Sequence, residues 1–77
     1  MRTLSDPQGN VWQAALLDAS YGSITLLFSP LRGNDIRQYE MPADTMAEAE
    51  AQFAGLSDTE LTALWATARP WNPGAWG

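Results

Sequence analysis

The side-chain types that carry most protein catalysis are missing from these 77 residues. There is no His and no Cys, and because the four basic residues are Arg2, Arg32, Arg37 and Arg69 there is no Lys. Without Cys there is no thiolate nucleophile, thiolate zinc site or disulfide; without His no side chain titrates near neutral pH or offers an imidazole to a metal. A serine hydroxyl would find neither His nor Lys to take its proton. What remains is carboxylate and guanidinium. Asp18 and Glu40 are expected on the same outer face of a sheet, where paired carboxylates can act as acid and base or hold a hard cation. They fall on different strands, however, with Leu27 between them. Asp44, Glu48 and Glu50 gather at a helix start, where the dipole favours negative charge, and are read as solvated or capping groups. Residues 29–37 place Arg32 and Arg37 around Gly33 and Asn34, types that can turn backbone amides toward an anion. Those four are the candidate anion site. A β-turn with Gly33 or Asn34 at positive φ and Asp35 paired to a neighbouring Arg accounts for the same residues. No Gly-x-Gly-x-x-Gly or phosphate-loop Gly-Lys pattern occurs. The expectation is no catalytic residue, no cofactor and no metal, hence no enzyme acting alone.

The elements that must position these groups follow from turn signals in the first half and helical spacing in the second. Asp6-Pro7-Gln8-Gly9-Asn10, Ser20-Tyr21-Gly22-Ser23 and Arg32-Gly33-Asn34-Asp35 punctuate short apolar segments in the rhythm of an antiparallel meander. A two-residue loop at Tyr21-Gly22 pairs Ala19 with Ile24, Leu17 with Leu26 and Ala15 with Phe28, all apolar. A four-residue loop at 32–35 then sets Tyr39 opposite Phe28 and Met41 opposite Leu26, with an edge strand around Leu4. Thr45 with Glu48 and Ser57 with Glu60 are two capping boxes, each opening a helix. Met46, Ala49 and Phe53 form one apolar stripe, and Leu61, Leu64, Trp65 and Ala68 the other. Gly55 stands where the first helix would end in a left-handed residue, with Leu56 packing back and stapled to Leu61. Arg69 before Pro70 marks the second stop. The predicted fold is therefore α+β: a meander of three to four strands followed by two short helices on one face, one domain over 1–69 and a Trp/Pro/Gly-rich tail over 70–77.

In that register the opposite sheet face carries Leu16 against Leu27, Trp12 against Leu31, and Leu31 against Ile36. Such a face needs a cover: the tail with Trp71 and Trp76, a second copy of the chain, or another protein. Trp12, Leu16, Leu27, Leu31, Ile36, Trp71 and Trp76 are accordingly the candidate interaction surface. A net charge of −5 opposes nucleic-acid binding. No apolar run approaches the roughly 20 residues of a membrane span, and the N-terminal residues carry no leader pattern, so a soluble, cytoplasmic protein is expected. The leading functional expectation is a small non-enzymatic module for protein–protein interaction or an accessory subunit. The alternatives are a binder of an anionic or apolar small ligand, using the Arg32–Arg37 loop and the outer face, and an acidic inhibitor that mimics nucleic acid. A meander running into a Ser-Asp-Thr-Glu-Leu helix and an Arg-Pro-Trp exit resembles small uncharacterised proteins of GC-rich Gram-negative bacteria. The resemblance spans most of the chain and implies no activity or site residue.

Overall fold

The computed structural model describes residues 1–18 and 24–71. Five antiparallel strands lie in chain order across one sheet: β1 (Arg2–Ser5), β2 (Val11–Asp18), β3 (Ile24–Pro30), β4 (Arg37–Glu40) and β5 (Arg69–Pro70). Helices α1 (Met46–Gly55) and α2 (Asp58–Thr67) come between β4 and β5. The expected α+β architecture is present with one more strand. Its fifth strand is made by residues at the domain–tail boundary: Arg69 and Pro70 pair with β4, and Trp71 donates its amide to the Ile36 carbonyl at 2.7 Å.

Both helices cover the sheet face bearing Leu26 and Phe28. Leu26, Phe28 and Leu61 are fully buried, with Ala49 and Phe53 from α1 and Leu4, Trp12, Ala14, Ile24 and Met41 from the sheet side. Leu16, Tyr39, Met46, Leu64, Trp65 and Ala68 pack around this core, so both helical stripes bury as their spacing predicts.

The strand registers differ from expectation in two ways. β2 pairs with β3 through Asp18–Ile24, Leu16–Leu26, Ala14–Phe28 and Trp12–Pro30. This is a slip of one residue, and because side chains alternate, it turns the whole of β2 over. Trp12 and Leu16, expected outside, face the helices; Ala15 and Leu17, expected inside, face away. Pairing Asp18 with Ile24 leaves an odd number of residues between them, where the two-residue loop requires an even number. The connection itself, residues 19–23 with Tyr21 and Gly22, lies outside the described residues. Burial explains the preference: the expected parity would put Gln13 in the core without a partner and leave an indole in water. The second slip is by two residues. Tyr39 pairs with Leu26 and Arg37 with Phe28, which keeps the inward parity of β4 but lengthens its connection to β3. Asp18 and Glu40 consequently do not share a face: Asp18, the last residue of β2, has the parity of its inward residues, and Glu40 pairs with the outward Thr25.

The helix ends are secured unequally. At α2 the capping box is complete, the Ser57 hydroxyl accepting from the Glu60 amide and the Glu60 carboxylate from the Ser57 amide. At α1 the Thr45 hydroxyl accepts from the Glu48 amide, but the Glu48 carboxylate takes the amide of Asp44 instead, so that box is not reciprocal. Gly55 is not among the positive-φ glycines; α1 ends through an extended Leu56 whose amide donates to Phe53 O. The work expected of a left-handed glycine is done by Arg2. Its guanidinium donates to the carbonyls of Phe53 and Leu56 at 2.8 and 2.6 Å and pairs with Asp58 at 3.2 Å, tying β1 to the corner between the helices.

The two edges of the sheet are unlike. Bonded pairs alternate along an antiparallel ladder, and the bonds Asp6 N to Asn10 O and Trp71 N to Ile36 O fix the phase at each side. In β5, position 70 therefore points outward, where proline has no N–H to offer.

The parity of β2 makes a direct prediction. Leu26→Ala should cost about 2–5 kcal/mol, whereas Leu17→Thr, at a side chain 42% exposed, should stay within about 0.5 kcal/mol. Urea unfolding of both variants tests the assignment, which a large loss at Leu17 would overturn.

Candidate functional site

The β1–β2 connection is a three-residue loop, Pro7-Gln8-Gly9, closed by Asp6 N to Asn10 O at 2.9 Å and Gly9 N to Asp6 O at 3.0 Å, with Gly9 at φ +86°. This is the hairpin form in which a turn is followed by one left-handed residue, the reason a glycine stands third. Asp6 does more than begin the turn. Its buried carboxylate accepts from the amides of Gln8 and Asn10 at 2.9 and 2.8 Å, from the Asn10 side chain at 3.2 Å, and from the indole Nε1 of Trp12 at 3.0 Å. Burial pushes the Asp6 carboxyl up, but these four N–H donors favour the charged form more strongly, and the group titrates below its ordinary value.

Trp12, held by Asp6, forms one wall of a second arrangement. The Trp65 ring meets it edge-on, with centroids 5.3 Å apart and planes at 64°. The Arg37 guanidinium lies 4.2 Å from the Trp65 centroid and 5.5 Å from that of Trp12, and donates to Trp65 O at 3.0 Å. Strand β4 places Arg37 there because its register turns that side chain toward the helices. The two indoles are satisfied differently: Trp12 Nε1 has Asp6, whereas Trp65 Nε1 is buried with no partner among the described residues.

Around this wall opens a cleft of about 590 Å³ at the loop end of the sandwich. Pro7 and Asn10 reach it from the first hairpin, Pro30 from the end of β3, Arg32, Asn34 and Ile36 from the β3–β4 connection, and Trp71 from beyond β5. Thus Trp12, Ile36 and Trp71 of the expected interaction surface meet, although at an end of the sheet. Leu31, 58% exposed, lies beside a neighbouring hollow with Gly9 and Val11. Leu27 faces the outer side, Leu16 packs against the core, and Trp76 lies outside the described residues. Of the expected anion site, Arg32, Asn34 and Arg37 line the cleft; Gly33, at φ +105°, makes the turn and does not.

The charges of the cleft are largely committed: Asp6 to four donors, Arg37 to two rings and a carbonyl. What the cleft offers is aromatic, prolyl and aliphatic contact area, with Arg32 and Asp35 as charged lining residues whose side chains make no hydrogen bond among the described residues. Among the described residues no three acidic side chains gather as a metal site, and no helix is long and apolar enough to cross a membrane. The roles of Asp6 and Arg37 were not read from the sequence. The Asp-Pro-x-Gly turn contains the signal for Asp6, since an Asp side chain at a turn start accepts amides farther along. Arg37 has no local signal, because its rings come from β2 and α2. Compared with known protein families, curated proteins and solved structures, the chain matches none.

Two outcomes follow. Because the folded state holds Asp6 and Glu60 below their unfolded values, each contributes stability that is present above the unfolded value and lost as pH falls through the folded one. Asp6→Asn should therefore melt lower than wild type at pH 7 and lose less on acidification; an unchanged acid slope in the melting series would contradict this role. Second, Trp12→Phe deprives Asp6 of a donor, whereas Trp65→Phe removes a buried N–H that has no partner among the described residues. Urea unfolding should show the larger loss at position 12, and the reverse order would refute the hydrogen-bond assignment.

Proposed function

We propose that this chain is a non-enzymatic protein-interaction module whose docking site is the cleft at its loop end. The observation that carries this reading is the convergence of four chain segments on one open cleft. Its aromatic and prolyl side chains stand on a wall made rigid by Asp6, Trp12, Arg37 and Trp65. Trp and Arg are the side chains most enriched where partner proteins bind tightly, and a pre-formed surface loses little entropy on docking. The outer sheet face supports the reading less well. With Trp12 and Leu16 turned inward, its apolar members are Val11, Ala15, Leu17, Leu27 and, opposite Val11 at the end of the ladder, Leu31, interleaved with Gln13, Thr25, Ser29 and Gln38.

The competing reading, a small anionic ligand at the Arg32–Arg37 loop, has Arg32 and Asn34 in the cleft but finds the Arg37 guanidinium engaged. Affinity capture with wild type, Ile36→Ser, Trp71→Ala and the outer-face control Leu17→Thr separates the possibilities, each variant first shown to melt cooperatively. The same protein should be retained by wild type and Leu17→Thr and lost at least about tenfold by the two cleft variants. Equal retention by all four would move the site elsewhere. Amide shifts of Gly33 and Asn34 on titration with inorganic phosphate would favour the small-ligand reading.

A further inference from the structure

The first strand is a sheet edge with a groove beside it. The ladder phase set by Asp6 and Asn10 makes Arg2–Ala14 and Leu4–Trp12 the bonded pairs of β1 and β2. The N–H and C=O groups of Thr3 and Ser5 therefore point away from the sheet, and no described residue pairs with them. Natural edges are usually blunted by proline, lysine, a bulge or a covering element. The β5 edge has Pro70, but among the described residues β1 has none of these, and its one cation, Arg2, is turned inward to the carbonyls of Phe53 and Leu56 and to the Asp58 carboxylate. Alongside runs a groove of about 690 Å³ between β1 and α2, bounded on the helix side by Asp58, Thr59, Thr62 and Ala63. It has the form in which an extended segment adds to a sheet beneath a helix, main-chain bonds giving affinity and alternate side chains facing the helix.

We propose that this edge is a strand-addition site for an extended, basic segment of a partner protein. Electrostatics select this occupant. The groove ends at Asp58, whose side chain is 95% exposed and gives Oδ1 to Arg2, the one cation of β1, while no described residue bonds its Oδ2, and the chain carries a net charge of −5. A second copy would bring the same negative charge to the contact. Ala63 and the two threonines leave room for small apolar side chains at the positions that face α2. The proposal rests on the reading of this chain as a protein-binding module but uses a surface distinct from the cleft.

The test uses the full chain with two short acetylated peptides, one alternating Lys with Val and one alternating Glu with Val, followed by backbone amide shifts and hydrogen exchange. The Lys peptide should shift the Thr3 and Ser5 amides and slow their exchange at least about tenfold, while Leu4, already bonded to Trp12, changes little. Thr3→Pro removes an outward donor and none from the ladder, and should weaken binding at least about tenfold. Asp58→Asn, which retains a helix-start side chain, should weaken it as well, and Trp71→Ala should leave it intact. No response at Thr3 and Ser5, an equal response to the Glu peptide, or undiminished binding by both edge variants would overturn the proposal and leave the cleft reading standing. Protection of these two amides that grows with protein concentration alone would assign the edge to a second copy and overturn the basic partner.

Discussion

The contact between the Asp6 carboxylate and the Trp12 indole is the constraint on which the remaining geometry turns. A buried indole N–H needs an acceptor, and a buried carboxylate needs donors. Here each supplies what the other lacks, six residues apart on one hairpin. The contact requires Trp12 to face the same side as Asp6, which places Ala14 and Leu16 on that side too. The small Ala14, fully buried, leaves room for α1, and the indole gives α2 a flat surface on which Trp65 rests. Arg37 then closes the group from β4. Loop, sheet parity, helix seat and cleft wall are thus consequences of one polar pairing.

How much of this was legible depended on whether a feature was local. The helix starts at Thr45 and Ser57, the stripes Met46–Ala49–Phe53 and Leu61–Leu64–Trp65–Ala68, and the inward parity of Ile24, Leu26 and Phe28 could be read because each rests on spacing within one segment. Parity between segments could not. It depends on the number of residues in a connection, and Tyr21-Gly22 suggested a tighter one than the pairing of Asp18 with Ile24 permits. Gln13 was the available warning, since the expected register buried its amide. Gly55 misled for a related reason: a helix can end without positive φ when a distant side chain satisfies its carbonyls, and Arg2, at the other end of the chain, left no trace near position 55.

The reversal of β2 also moves the apolar surface. In the expected register Trp12 and Leu16 would give the outer face a large continuous patch. In the structure they support the core, the outer face alternates aliphatic with hydroxyl and amide side chains, and the tryptophan and proline side chains that line the cleft, with Trp12 buried and Trp65 and Trp71 half-buried, gather at the loop end. Asp6, which begins the first turn, and Arg37, a member of the expected anion site, serve to hold that end in shape. A chain with so short a list of reactive side chains uses its strongest polar contacts for positioning.

Pro70 gives the sheet a direction of growth. Among the described residues, the backbone position of β5 turned away from β4 has no hydrogen to donate, whereas the Thr3 and Ser5 amides of β1 both point away from the sheet. Of the two described edges, the β5 side is therefore the poorer template for a neighbouring strand, which biases any lengthening of the sheet to one end.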